Sequence, residues 1–176
     1  MRIVIAGLSI STFTLIHVVI SLAGIGSGFV VLCGFLRGKR LDGWNAIFLT
    51  TCALTSLTGF LFPFGQLMPS HILGLLSLSA WTIAIVTRNS FGFNGWSRAV
   101  YVVAVAIALY FNCFAAVVQL FAKIAALKTI APTRTEGPYV IAQSVVLAVF
   151  VVLTYSAAKR FGIEPAGDPG KSTGGD

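Results

Sequence analysis

Charge is scarce in this chain. Only 10% of its 176 residues are Asp, Glu, Lys or Arg, where a soluble domain carries about a quarter. The five acidic residues, Asp42, Glu136, Glu164, Asp168 and Asp176, all lie outside the long apolar stretches. That absence excludes a buried carboxylate for acid–base work, for a metal site or for a proton pump within the membrane. Cysteine is also sparse. Cys33, Cys52 and Cys113 each fall inside an apolar stretch with no CxxC spacing. Neither a disulfide framework nor a zinc site is expected, and such thiols act as small hydrophobes. Histidine is rarer still, with only His17 and His71. Two imidazoles exclude a two-haem path. No nucleophile elbow is present, and Gly170-Lys171-Ser172 lacks the upstream strand and glycine of a phosphate loop. Nor is there a charged ring or carbonyl filter of the channel kind.

What is present is apolarity. Mean hydropathy is +0.93 and 57% of residues are hydrophobic. Lipid cannot satisfy backbone N–H and C=O groups, so a chain this apolar spans as helices or as a closed barrel. The stretches are too long for barrel strands of about 10 residues. The expected fold is therefore all-α, a polytopic membrane helical bundle of five transmembrane helices. The spans are placed at Thr12–Leu36, Trp44–Phe64, Ser70–Val86, Ala99–Phe121 and Tyr139–Ala157, each near the 20 residues or so a crossing needs. They form one domain over residues 1–161, followed by a glycine-rich polar tail over 162–176 that is expected to be disordered and cytoplasmic. Met1–Ser11 is read as an interfacial lead-in to the first helix and not as a cleaved signal.

The net charge of +7 follows from orientation, and no nucleic-acid partner is expected. Lys and Arg collect in cytoplasmic loops. Arg37, Lys39, Arg40, Arg88, Arg98, Lys159, Arg160 and Lys171 fall on one side, against Arg2, Lys123, Lys128 and Arg134 on the other. This places the N-terminus outside and the C-terminus in the cytoplasm. Gly24 and Gly28, four apart, make a small-residue face for close helix approach. That face suits a neighbouring span or a second copy of the chain.

Depth then sorts the polar residues. His17, Thr58, His71, Gln119 and Gln143 fall in the outer half, Asn112 near the middle, and no equal cluster is expected in the inner half. His17 and His71 on parallel helices suit the axial ligation of one haem b iron. Gly24, Gly28 and Gly74 would admit the porphyrin, Phe60, Phe62 and Phe64 would pack it, and Arg134 or Lys123 would pair its propionates. A quinone suits the same cluster, with His and Gln side chains on its carbonyls. Plain helix packing accounts for the same residues, and these readings stay open.

The runs Leu41-Asp-Gly-Trp44, Thr58-Gly-Phe-Leu-Phe-Pro-Phe64, Pro69-Ser-His71 and Ala131-Pro-Thr-Arg-Thr-Glu-Gly-Pro138 resemble a group of small, uncharacterised bacterial polytopic inner-membrane proteins. The resemblance implies location and span count and carries no activity. In outline alone, the two histidines are similar to di-histidine cytochrome b membrane anchors such as those of succinate dehydrogenase, which implies axial roles for His17 and His71. The expected function is a small accessory or cofactor-binding subunit of a larger, redox-linked membrane complex, without catalysis of its own. The alternatives are a b-type cytochrome or quinone-binding electron-transfer protein, and a dimeric transporter or channel.

Overall fold

A computed structural model describes residues 4–5, 8–62, 69–91 and 95–161. A two-residue antiparallel pair, β1 (Val4–Ile5) and β2 (Leu8–Ser9), precedes the helices. Five long helices follow: α1 (Ile10–Leu36), α2 (Asp42–Phe60), α3 (Pro69–Ser90), α4 (Trp96–Lys123) and, after the short α5 (Ala125–Ile130), α6 (Gly137–Arg160). The expected tail, 162–176, lies outside the described residues.

Four of these helices, α1, α3, α4 and α6, are long and apolar enough to cross a membrane. Their surfaces agree: Leu15, Leu22, Ile72, Leu75, Ile141 and Val152 are each more than half exposed. That is an insoluble arrangement in water and a neutral one in lipid. α2 is not among the four. Its apolarity is diluted by Asn45, Thr50, Thr51, Thr55, Ser56 and Thr58.

Neighbours in sequence pack side by side, α1 on α2, α2 on α3 and α3 on α4, and α4 returns to α1. α2 and α4 thus stand between α1 and α3, while α6 packs outside on α1 and α4. α6 buries only a narrow stripe, Gln143, Phe150 and Ala157, whose seven-residue spacing is two helical turns.

The turn between α1 and α2 is built by its backbone. Gly38 adopts φ +67°, its N–H donates to Phe35 O at 3.0 Å, and Lys39 N–H donates to Gly34 O at 2.9 Å. This paired 5→2 and 6→1 pattern ends a helix where glycine tolerates the left-handed conformation. The Gly24/Gly28 face is spent within the chain. A Cβ on Gly24 would lie 3.2 Å from Thr51 Oγ1, and one on Gly28 would lie 2.5 Å from Leu109 Cδ1 and 2.9 Å from Phe48. Both glycines are buried. Of the two occupants expected for this face, the structure shows the neighbouring spans, α2 and α4.

The connection before α6 is tied by Glu136. Its Oε1 accepts from Thr133 N at 3.1 Å and Thr133 Oγ1 at 2.8 Å, and its Oε2 accepts from Thr135 N at 3.0 Å. Desolvation pushes the carboxyl upward, but these donors outweigh it and lower the pKa to about 2.

Two outcomes are expected. Gly28→Ala should destabilise the detergent-purified protein by about 1–3 kcal/mol, whereas Gly26→Ala, with open space at its Cβ, should not. Equal melting curves for the two variants would remove the close-packing argument. Because Glu136 is depressed in the folded chain, its contribution is complete above the unfolded value of about 4.3. It should be lost as pH falls towards about 2. The Thr133 and Thr135 amide shifts should titrate with a midpoint near that lower value, and a midpoint near the ordinary one would refute the tie.

Candidate functional site

The two histidines lie at the same end of the bundle, near the start of α1, the end of α2 and the start of α3. His17 is half-buried, and its Nδ1 lies 2.8 Å from Thr58 Oγ1. The Thr58 hydroxyl has one proton, donated to Leu54 O at 2.7 Å. With that proton on Leu54 O, Thr58 accepts from an Nδ1-protonated His17; with it turned to Nδ1, the imidazole is the other tautomer. The ring meets Phe62 edge-on at 5.3 Å, and Gly59 passes beside its Cε1.

His71 is buried, 7% exposed, and stacks on Phe60 with ring centroids 5.9 Å apart. Gly74 makes room for that same phenyl ring: a Cβ there would lie 3.3 Å from Phe60 Cζ. Each histidine thus packs on its own part of the α2 end, His17 on Thr58, Gly59 and Phe62, His71 on Phe60. The glycines expected to admit a porphyrin, Gly24, Gly28 and Gly74, are filled by Thr51, by Phe48 and Leu109, and by Phe60. At these three positions the glycines serve the packing of the chain's own helices. Pro63 to Met68, including Phe64, lie outside the described residues. No group of three or more His, Cys, Asp or Glu side chains suited to a metal occurs among the described residues.

The remaining expected site residues disperse. Asn112 is buried in mid-bundle, donating from Nδ2 to Ala108 O at 3.0 Å and to Cys52 Sγ at 3.5 Å. Cys52 in turn lies 3.5 Å from Ser77 Oγ, so α2, α3 and α4 meet in one polar knot. Gln119 points outward and is exposed. Gln143 is buried between α4 and α6, where Nε2 donates to Phe114 O at 3.3 Å and to Tyr139 Oη at 3.2 Å. Its Oε1 has no partner among the described residues.

The basic end holds what the sequence reading missed. Asn45, 2% exposed, donates from Nδ2 to the fully buried Tyr101 Oη. Arg88 also bonds that hydroxyl and lies 3.5 Å from Asp42, which Arg40 reaches at 2.8 Å. Ser97 and Thr87 are buried nearby in sequence, at 1% and 4% exposure. The expectation of no equal cluster in this half is therefore corrected. Asn45 follows the interfacial Trp44, Tyr101 sits in an apolar run, and Arg88 reads as an orientation charge. Only the rotation of three helices brings them together.

Comparison with family models, with curated proteins and with solved structures finds no match to this chain.

The detergent-purified protein is expected to show no reduced-minus-oxidised Soret change. A Soret change that disappears in His71→Ala would reinstate a haem held by the two histidines.

Proposed function

We propose that this chain is a five-span protein of a bacterial inner membrane, with its N-terminus outside. It would act there as a non-catalytic accessory subunit of a larger membrane assembly. The observation that carries this reading is the use made of the interior polar groups. His17, Cys52, Asn112, Asn45, Tyr101 and Trp81 are all engaged in bonds between helices, the last donating from Nε1 to Leu49 O at 2.8 Å. Such bonds hold a bundle together, each contributing on the order of 0.6 kcal/mol, and among the described residues they leave no pair of groups poised for acid–base or nucleophilic chemistry.

A fifth crossing by α2 is supported by its geometry. Nineteen residues reach about 28 Å at 1.5 Å each, close to the hydrocarbon thickness. Its dilution of apolarity costs little, because Asn45, Cys52, Ser56 and Thr58 face other helices and not lipid. The orientation is supported by Arg37, Lys39, Arg40, Arg88, Arg98, Lys159 and Arg160, all carried at one end of the bundle. Trp44 and Trp96, exposed at the starts of α2 and α4, belong to the same end and suit an interfacial belt. α6, packed on one stripe only, is the surface most open to another subunit.

Two measurements test the reading. In a cysteine-free background, Lys39→Cys should label only after the inner membrane is permeabilised, and Thr133→Cys in intact cells. Labelling of both from one side would overturn the layout. Mild-detergent purification should then recover a stoichiometric membrane partner, lost when Val145 and Val152 on α6 are both changed to Trp. A monomer without partners, in that detergent and in native membrane discs, would overturn the accessory role.

A further inference from the structure

The turn between α1 and α2 is folded onto the end of α6. A Cβ on Gly38 would lie 3.5 Å from the Arg160 carbonyl oxygen. The buried Phe35 and Phe161 rings join the same two segments at 4.6 Å, centroid to centroid. Arg37 and Lys39 flank Gly38 in sequence, and Lys159 and Arg160 close α6. Two segments far apart in sequence thus bring four cationic residues to one corner of the bundle, and all four are exposed. Like charges so placed repel, at a cost that a nearby anion would offset. The described residues hold two side-chain carboxylates. Asp42 is taken by Arg40 at 2.8 Å and Arg88 at 3.5 Å. Glu136 lies at the opposite end, held by Thr133 and Thr135. Among the described residues, no ion pair joins either of them to Arg37, Lys39, Lys159 or Arg160.

The neighbours of the corner mark its depth. On α6, Val151, Val152 and Tyr155 are exposed at 60%, 63% and 61%. The Lys159 ammonium stands 4.5 Å from the Tyr155 ring centroid. The surface therefore passes from apolar through aromatic to basic within about two helical turns. Trp44 and Trp96 stand exposed at the same end. Cations above an aromatic belt are the surface that meets phospholipid headgroups. The cations alone would suit an acidic protein equally; the aromatics one turn below them favour lipid.

We propose that this corner binds the headgroup of an anionic phospholipid, its phosphate lying among Arg37, Lys39, Lys159 and Arg160. A zwitterionic headgroup carries its own cation and gains little there. A headgroup of net negative charge gains from each Lys or Arg at the surface, and arginine can grip a phosphate through two N–H donors. The inference rests on the proposed layout only for the leaflet that supplies the lipid. Binding in detergent does not depend on orientation, so a failed site and a failed layout are told apart.

Native mass spectrometry of the full chain in a neutral detergent tests it, with phosphatidylglycerol and phosphatidylcholine of identical chains as the probes. The first phosphatidylglycerol is expected to bind more tightly than phosphatidylcholine, on the order of tenfold or more. The preference should shrink as the salt concentration rises. Lys39→Gln combined with Arg160→Gln should weaken phosphatidylglycerol on the order of tenfold and leave phosphatidylcholine unchanged. Lys123→Gln combined with Lys128→Gln, at the opposite end, should change neither. Unchanged circular dichroism of both double variants shows that they fold. Equal affinities for the two lipids, or an equal loss in the two double variants, would overturn the site. So would a preference that emerges only with Glu164→Gln and Asp168→Asn, which would assign the corner to the chain's own acidic tail.

Discussion

A single constraint organises this molecule: lipid supplies no hydrogen-bond partner, so each polar group within the bundle has to find one on the chain. α2 carries most of that burden. It is the one long helix not apolar enough by length and composition to count as a span, and from its faces run the bonds to α1 through Thr58 and His17, to α3 through Cys52 and Ser77, and to α4 through Asn45 and Asn112's contact with Cys52. A helix so rich in hydroxyls would be a poor lipid-facing span. Placed between α1 and α3, it becomes the element that fixes their rotations. Its own backbone takes up the spare protons, as when Thr51 donates to Ile47 O and Thr58 to Leu54 O. This is a common device of hydroxyl side chains in helices.

The glycines of α1 are the other half of the same design. Gly24 and Gly28 let α1 approach Thr51, Phe48 and Leu109 closely. Close approach brings His17 within reach of Thr58, eleven residues before Gly28 on α1 and ten after Phe48 on α2. Tight apolar packing at one level and a hydrogen bond at another therefore depend on one helix pair. Small residues that carry no chemistry position a residue that could.

Much of this was legible in the chain itself. Length and continuity of apolar runs located the long helices, and the ends moved by only a few residues, with α3 running on to Ser90 and α4 beginning at Trp96. Gly24 and Gly28 were recognisable as a packing face. Which neighbour they met was not, since spacing names a face and not its partner. The site was less legible for the same reason. Depth along a helix follows from counting residues, so His17 and His71 share an end. Azimuth does not, so Gln119 turned outward while Gln143 turned in. The Asn45–Tyr101–Arg88 junction depends on three azimuths at once and leaves no signal at any one position. The break at Ile124 is equally quiet, since neither proline nor glycine marks it.

The unpartnered Gln143 oxygen gains meaning against this background. His17, Asn112, Cys52 and Ser77 are drawn into bonds between helices, while among the described residues Gln143 Oε1, Asn45 Oδ1 and Thr55 Oγ1 are buried without a partner. The amide nitrogen ties α6 to α4 through the Phe114 carbonyl at 3.3 Å. Leu or Met at position 143 would fill the stripe with Phe150 and Ala157 and avoid the orphaned oxygen, but would lose that bond. The amide also cannot turn to satisfy itself, since reversing it would set oxygen against the Phe114 carbonyl.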